Sequence, residues 1–427
     1  MKKNILAQAI SFALAGMPLI ACASEAELMQ RLDQMAAEIA QLKAELAANK
    51  QKTETVEKRQ DVLATTVETS AAKGPSSILG PNTVLSSYGE VNYSRQSKDA
   101  SKSQADVARA VIGITHRFDE KTKMVAEFEW EHAVTSSSDK GETEVEQLYV
   151  EREFNNGLRA KGGLFLIPAG LLNSNHEPTA YYGVYRNFVE TAIIPTTWRE
   201  VGFSLSSTLD NGLTWETGLS TGFDLSKWDA TSSDGRTSPL GSIHQEGQQA
   251  KSRDLSVFGA LNWRGMPGLL LGGSVFTGKA GHKTTDFPAQ DARVTLWDLH
   301  ARYTPGKWDL SALYARGTIS NTDALNQSFA GQQTPVPSSF YGWYTQAAYQ
   351  LWKSEDYALT PFIRIEKFNT ANSYSPSVDV PTGPNERVIT VGSNFNIGEG
   401  VVIKADYQKF KQDATRDRLN LGLGYAF

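Results

Sequence analysis

Segments of about ten residues with alternating apolar and polar side chains recur from residue 84 to the C-terminus, and this repeat restricts the fold most. Ten residues is the length that a tilted strand needs to cross an apolar layer. The sequence contains sixteen such segments. Their approximate spans are 86–95, 105–118, 122–134, 144–154, 158–168, 199–208, 212–223, 253–264, 267–278, 292–304, 307–317, 339–352, 357–368, 386–396, 400–411 and 416–427.

The connections between these segments alternate strictly between short and long. The seven short ones include Asn156-Gly157 and Pro305-Gly306, and several are dipeptides that hairpin turns favour. The eight longer, polar ones lie around 96–104, 135–143, 169–198, 224–252, 279–291, 318–338, 369–385 and 412–415. Short turns at one end and longer loops at the other are typical of an outer-membrane barrel. The sequence therefore predicts an all-β fold, a 16-stranded antiparallel transmembrane β-barrel with both termini at the turn end.

A soluble β-sandwich is the alternative for many short alternating strands. The third segment argues against it, because Phe128 and Trp130 alternate there with Glu127, Glu129 and Glu131. Charges on one face of many strands suit a water-filled interior better than a dry sandwich core. After the N-terminal segment the chain has no run of about 18 apolar residues that could cross a bilayer as a helix.

The N-terminus has the pattern of a secretory signal peptide, assigned to residues 1–23. Two lysines precede an apolar stretch from Ile5 to about Ala21. Cleavage after Ala23 and lipidation of Cys22 both fit the residues at the cut. Because Cys22 is the single cysteine, the mature chain is predicted to have no disulfide and no cysteine-based metal site.

A heptad pattern follows, and residues 24–70 are predicted to form a short periplasmic α-helical coiled coil. A single amphipathic helix lying on the barrel is the alternative. Residues 71–83, rich in glycine and proline, are predicted to be a linker, which leaves 84–427 as the barrel domain. The apolar heptad positions are Leu28, Leu32, Met35, Ile39, Leu42 and Leu46.

The third long connection, 169–198, is the candidate for a constriction inside the barrel, since a polar segment of this length is usually functional. Folded inward, it would set Arg186 and His176 against Glu177 and Glu190 and create a transverse field. Alternatively, these side chains pair only with one another and hold the connection to the wall. The candidate constriction residues are Asn173, His176, Glu177, Tyr182, Arg186 and Glu190.

Charged residues on the predicted strands are candidates for the lumenal wall. The three glutamates of the third strand would form an acidic ladder that attracts cations, or would pair with basic residues of the wall. Pairing is favoured, because unpaired like charges at that spacing repel one another. The predicted wall residues are Arg109, Glu127, Glu129, Glu131, Arg152, Arg302, Arg364 and Lys404.

Charge and motifs argue against other classes of function. The formal net charge of −5 and the lack of a nucleic-acid motif argue against nucleic acid as a partner. The six histidines are scattered, and neither a G-x-S-x-G nor an H-E-x-x-H motif is present, so no enzyme activity, catalytic residue, cofactor or metal is predicted. The rival functions are a barrel lipase or protease and a structural barrel tethered to other envelope layers by the coiled coil.

Residues 160–225 resemble the phosphate-selective porin O and P family. The matching stretches are Gly163–Pro168, Leu172-Asn173, His176–Pro178, Tyr182–Val184, Arg186-Asn187, Val189–Thr191 and Ile193–Trp198. The resemblance implies a sixteen-stranded trimeric channel with the third loop folded into the pore, each protomer conducting separately. The family's phosphate-selective members use rows of lumenal arginines and a lysine cluster. The wall predicted here mixes basic residues with many carboxylates, so a less selective pore is expected.

Taken with the resemblance, the sequence predicts an outer-membrane porin for passive diffusion of small hydrophilic solutes or ions, anions such as phosphate included. The expected partners are outer-membrane lipid, two further copies in a homotrimer, and the outer-membrane assembly machinery. The last strand ends on Phe427, which resembles the signal that this machinery recognises. The alternative function is a structural barrel that tethers the outer membrane through its coiled coil.

Overall fold

The computed structural model describes residues 80–375 and 383–427. The predicted signal peptide, the predicted coiled coil and most of the predicted linker lie outside the described residues. No helix within the described part of the chain is long and apolar enough to cross a lipid bilayer.

The described residues form sixteen antiparallel strands, as the sequence predicts. The twelfth strand is extended past a break by Trp352–Lys353, which pairs with the thirteenth. The strands are β1 (Thr83–Gln96), β2 (Gln104–Arg117), β3 (Thr122–Glu131), β4 (Thr143–Glu153), β5 (Arg159–Leu166), β6 (Arg199–Thr208), β7 (Leu213–Ser220), β8 (Ser256–Met266), β9 (Leu269–Lys279), β10 (Arg293–Tyr303), β11 (Trp308–Ser320), β12 (Pro337–Tyr349), β13 (Tyr357–Tyr374), β14 (Asn385–Ile397), β15 (Val401–Phe410) and β16 (Arg418–Ala426).

The sheet closes on itself, because β1 pairs with both β2 and β16. The closing register joins Tyr88 to Ala426 at one end and Gln96 to Arg418 at the other. Each other strand pairs with its neighbours in sequence, so the sheet is an up-and-down barrel. A closed barrel has no unpaired strand edge. The predicted closed, sixteen-stranded, antiparallel architecture is therefore confirmed.

Side chains alternate between two chemically different faces of this barrel. On β16, Leu419, Leu421 and Leu423 are between 43% and 49% exposed, whereas Asn420 between them is fully buried. Most outward positions of the other strands are likewise apolar, with Ile363 on β13 as an example. The outer face is therefore an apolar belt, and most polar strand residues point into the barrel.

The connections divide into two sets at the two ends of the barrel, here called the turn end and the loop end. The turn end holds the seven short connections, such as 154–158 and 398–400. The loop end holds the eight long connections, which include two short helices, α1 (Asp234–Thr237) and α2 (Asp323–Ser328). Single helical turns lie at Ala100–Lys102, Leu225–Lys227, Gly241–Ile243 and Ala414–Arg416, with a π-type turn at Val189–Ile193. Several strand ends differ from the prediction by a few residues, and the largest difference is in β13, which continues to Tyr374, six residues beyond the expected end at 368.

Candidate functional site

The connection between β5 and β6, residues 167–198 and here called the inner loop, folds into the barrel. Its backbone is held by side chains from inward positions of distant strands. Asp406 on β15 accepts a 2.6 Å hydrogen bond from the Val184 amide. Glu366 on β13 accepts one of 2.6 Å from the Phe188 amide. Because these strands lie far around the barrel from β5, the inner loop crosses the interior.

Two arginines of the wall bind carbonyl oxygens of the inner loop. Arg364 on β13, which is 2% exposed, donates to the Tyr182 carbonyl at 3.1 Å and to the Tyr185 carbonyl at 3.4 Å. Arg109 on β2 donates to the His176 carbonyl at 3.1 Å. Charged donors make stronger hydrogen bonds than neutral ones. Both predicted wall residues therefore help to position the inner loop.

Asn173 joins the two ends of the inner loop. Its side-chain amide donates to the carbonyls of Ile167 and Trp198 at 2.7 and 2.8 Å, and its oxygen accepts from the Trp198 amide at 2.7 Å. Asn173 is 4% exposed. This predicted constriction residue closes the base of the inner loop beside β5 and β6.

Glu190 is the most densely bonded carboxylate of the inner loop. One oxygen accepts from the amides of Leu171 and Leu172 at 2.6 and 2.7 Å. The other accepts from the Asn187 side chain at 2.8 Å and from the Tyr344 hydroxyl of β12 at 2.9 Å. Burial raises the pKa of the Glu190 carboxyl, and these hydrogen bonds oppose that effect. Glu190 therefore joins the first arm of the inner loop, which contains Leu171 and Leu172, to the second arm, which contains Glu190 itself, and to Tyr344 of the wall.

The predicted charge pairs within the inner loop are wrong. His176 contacts Glu146 on β4, with 2.7 Å between Nε2 and Oε1, and its ring also contacts the Tyr88 hydroxyl at 2.8 Å. Arg186 donates to the hydroxyls of Thr196 and Thr197, at 2.9 Å for the latter. For His176 the reason is geometric, because inside the barrel its ring reaches wall side chains that are distant in sequence. Arg186 instead bonds hydroxyl groups of the inner loop itself.

Carboxylates collect along the β3 and β4 side of the interior. Glu129 is 1% exposed and lies 4.0 Å from Arg109, whereas Glu127 accepts a 2.5 Å hydrogen bond from Gln147. One side-chain oxygen of Glu177 in the inner loop is buried and has no hydrogen bond from the described residues. Glu131 points inward at the loop end of β3 and is half-buried. The predicted ladder thus lies inside, and only its middle glutamate pairs with Arg109.

Basic side chains collect on another part of the wall, along β15 and β16, which β1 and β2 separate from β3. Lys404 is 2% exposed, and its ammonium lies 3.6 Å from the ring centre of Tyr181 in the inner loop. That ammonium has no hydrogen-bond partner among the described residues. The guanidinium of Arg418 lies 4.8 Å from the ring centre of Tyr185. Cations over aromatic faces are held by electrostatic attraction that burial strengthens.

Ion pairs also line the interior toward the turn end. Arg302 on β10 makes two hydrogen bonds to Asp309 on β11, at 2.9 and 2.6 Å. The Tyr182 hydroxyl donates to the same carboxylate at 3.1 Å. Lys161 on β5 lies 3.1 Å from Glu216 on β7. The inner loop therefore also contacts polar wall groups toward the turn end, through Tyr182.

The predicted lumenal position of Arg152 is wrong. Arg152 has the same parity as Leu148 and Val150 on β4, which are 50% and 44% exposed on the outer face. Its side chain is 51% exposed and contacts Asp119 of the neighbouring turn at 3.4 Å. Strand alternation therefore places Arg152 on the outer surface at the turn end.

Several interior residues are absent from the sequence-based set. Glu90 pairs with Arg109 at 2.9 Å, and Glu146 is fully buried against His176. Alternation on β1 is a signal that could have identified Glu90. Glu146 lies at a β-bulge, where the register shifts between Glu127 and Phe128 of the partner strand. A bulge adds one residue and breaks the period of two, so simple alternation misplaces such a residue.

An apolar cluster fills the other side of the interior. Trp198 of the inner loop stacks on Phe223 at 5.1 Å between ring centres and contacts Phe276 of β9 at 4.6 Å. Val189 and Ile193 of the inner loop are fully buried in the same cluster. The inner loop thus has an apolar side that anchors it and a polar side formed by Tyr181, Tyr182, Tyr185 and Arg186.

Metal binding finds no support in the geometry of the described residues. Within 80–375 and 383–427, no group of three or more histidine, aspartate or glutamate side chains is arranged to hold a metal ion.

Comparisons with known proteins define the fold. No protein-family model matches the chain. An uncharacterized protein of Aquifex aeolicus (strain VF5) is 25% identical over 354 residues, covering 80% of this chain and 79% of that protein. OmpF of Salmonella typhi, solved in complex with daunomycin, has a TM-score of 0.55 at 13% identity and covers 81% of this chain and 98% of its own. A loop L8 deletion mutant of OmpT, an outer membrane protein of Vibrio cholerae, has a TM-score of 0.50 at 10% identity and covers 81% of this chain and 100% of its own.

At these identities the likeness to solved structures establishes a shared barrel fold and nothing finer. The resemblance to the phosphate-selective porin O and P family stays a prediction.

Proposed function

We propose that this chain is an outer-membrane porin through which small hydrophilic solutes and ions diffuse passively. The observation that carries the proposal is the inner loop, a polar connection that crosses a closed barrel whose outer belt is apolar. A barrel of sixteen strands leaves an aqueous channel unless something narrows it. The inner loop is placed to narrow this one.

The apolar belt supports a location in the outer membrane. Outward positions on β16 repeat leucine at every second residue, which suits contact with lipid acyl chains. Because the number of strands is even, the start of β1 and the end of β16 both lie at the turn end, which faces the periplasm in this orientation. The terminal Phe427, 74% exposed, is then available to the assembly machinery on that side.

The uneven distribution of charge around the interior supports a constriction with an electric field. Carboxylates from Glu127, Glu129 and Glu177 lie toward β3 and β4, and the cations of Lys404 and Arg418 lie toward β15 and β16. Opposed charges at a narrow point select solutes by charge and dipole. The field arises from these wall and loop groups rather than from pairs within the inner loop.

The mixture of charges supports a general pore over a phosphate-specific one. Several interior cations are already neutralised, Arg109 by Glu90 at 2.9 Å and Arg302 by Asp309 at 2.6 Å. A paired arginine offers less attraction to a passing anion than a free one. We therefore place small neutral solutes and ions of both signs among the permeants, and phosphate as one anion among them.

Self-association as a homotrimer is part of the proposal. The heptad positions from Leu28 to Leu46 support it, because sustained heptads favour helix association. The coiled coil would then lie in the periplasm.

Liposome swelling tests the proposal. Vesicles that contain the refolded protein are diluted into isotonic sugars of increasing size, and the swelling rate is recorded. The expected result is swelling with small sugars and a sharp decline with larger ones. Y182A/Y185A, which removes bulk from the polar side of the inner loop, should shift that decline to larger sugars, whereas Y314A on the outer face should not. Vesicles that do not swell with any sugar would contradict the proposal.

A further inference from the structure

Three cations lie side by side on the outer surface at the loop end of the barrel. Lys367 on β13 is directly opposite Arg387 on β14. Lys411, the first residue after β15, is next to Arg387, because its amide donates to the Arg387 carbonyl at 3.0 Å. Neighbouring strands are about 4.8 Å apart, so the three side chains form one compact lateral row. This row is called the cation row below.

Strand alternation points the cation row toward the outside. Lys367 continues the outward series of Ile363 and Ile365, which are 44% and 37% exposed. Arg387 has the parity of Val391, which is 53% exposed on β14. The cation row therefore lies at the loop-end border of the apolar belt, outside the channel.

The nearest carboxylate does not neutralise the cation row. Glu386 is 3% exposed and points inward, and its oxygens accept from the backbone amides of Arg387, Lys411, Gln412 and Asp413 at 2.9, 3.0, 2.8 and 3.2 Å. Within residues 80–375 and 383–427, no member of the cation row forms an ion pair with a carboxylate. Like charges directly opposite one another destabilise a sheet unless a counter-ion is present.

A cleft of about 410 Å³ lies beside the cation row. Its lining residues are Lys367, Asn385, Glu386, Arg387, Lys411 and Gln412. The side-chain amides of Asn385 and Gln412 line the cleft beside the cations. Guanidinium, ammonium and amide donors together suit phosphate oxygens.

We propose that the cation row and its cleft bind the phosphate groups of lipopolysaccharide in the outer leaflet. This inference rests on the proposed outer-membrane location. The acyl chains of that lipid would lie on the apolar belt directly below, against Ile365 and Val391. Free phosphate shares the chemistry, but the site faces the lipid side of the wall rather than the channel, which favours the lipid.

Binding of fluorescent lipopolysaccharide to the refolded full-length mature protein tests this inference. The variant K367Q/R387Q/K411Q is compared with K98Q/K102Q/K140Q, which removes three exposed charges from other long connections at the loop end. The first variant should bind the lipid at least about tenfold more weakly, because it loses three charge-assisted contacts. A tenfold loss of affinity corresponds to about 1.4 kcal/mol of binding free energy. The second should bind like the wild type. Added salt should weaken the wild-type interaction.

Two further measurements distinguish lipid phosphate from free inorganic phosphate as the ligand. Dephosphorylated lipid should bind the wild-type protein weakly, and inorganic phosphate alone should compete only at high concentration. Equal lipid binding by K367Q/R387Q/K411Q and the wild type, or equal binding of dephosphorylated lipid, would overturn the inference. Tight competition by inorganic phosphate would also overturn it in favour of a free-anion site. Single-channel conductance of K367Q/R387Q/K411Q should equal that of the wild type, so failure of the lipid site and failure of the pore are distinguishable.

Discussion

The Tyr344 hydroxyl on β12 donates a 2.9 Å hydrogen bond to the Glu190 carboxylate in the inner loop. The two residues are separated by 154 positions in the sequence and meet inside the barrel, where both are nearly completely buried. The other carboxylate oxygen is held by two amides of the first arm of the inner loop. One carboxylate thus joins the wall to both arms of the inner loop.

Y344F should loosen the inner loop without unfolding the barrel. A hydrogen bond to a charged group is worth about 1.5–3 kcal/mol, and phenylalanine leaves the carboxylate oxygen with one donor fewer. We expect faster proteolysis within residues 167–198 and noisier single-channel current, with an unchanged barrel melting temperature. Y314F, a substitution on the outer face of β11, is the control. Identical proteolysis of Y344F and the wild type would argue against a positioning role for Tyr344.

R186Q and E177Q should shift ion selectivity in opposite directions. Arg186 and Glu177 carry opposite charges on the inner loop, so removing one or the other changes the field in the channel with opposite sign. We expect R186Q to lower the anion-to-cation permeability ratio about twofold and E177Q to raise it by a similar factor. The reversal potential under a potassium chloride gradient measures both. Shifts of the same sign in the two variants would exclude this arrangement of the field.

L421R should destabilise the membrane-embedded barrel much more than Q346R. Leu421 is 46% exposed on the apolar belt, whereas Gln346 is half-buried and points into the interior. Arginine on the lipid face costs about 2–4 kcal/mol near the bilayer midplane. Urea unfolding in vesicles measures the difference. Equal stability of the two variants would mean that the apolar belt does not contact lipid.

Deleting residues 24–70 should leave a conducting barrel whose trimers dissociate at a lower temperature. The heptad positions would otherwise hold the three chains together. Heat-dependent gel migration measures trimer dissociation, and planar-bilayer recordings measure conduction. An unchanged dissociation profile would remove the assembly role of the heptad segment. Envelope detachment in cells that carry the deletion would favour the tethering alternative.

The fold follows from sequence because β-alternation and turn chemistry are local. The inward placement of Glu129 and the outward placement of Leu421 need only the period of two. The prediction that Arg152 faces the lumen rests on its charge, and strand alternation corrects it. It has the outward parity of Leu148, so its charge does not make it lumenal.

Partners across the interior could not be predicted in this way, since they depend on where the inner loop meets the wall. His176 contacts Glu146, which points inward because of a β-bulge. Arg364 donates to backbone carbonyl oxygens, which a pattern of side chains does not predict. The extension of β13 to Tyr374 likewise depends on long-range pairing, since Ser373 and Tyr374 pair with Ser339 and Pro337 of β12. Long-range contacts of this kind decide the shape of the channel.

Single-channel recording of the refolded protein in planar bilayers, first in potassium chloride and then with added phosphate, tests whether this barrel is a general diffusion pore. We expect stepwise conductance in groups of three, with phosphate producing little block. Low conductance with strong phosphate block would instead indicate an anion-specific pore. The absence of any conductance steps would contradict the proposal that this barrel is a water-filled channel.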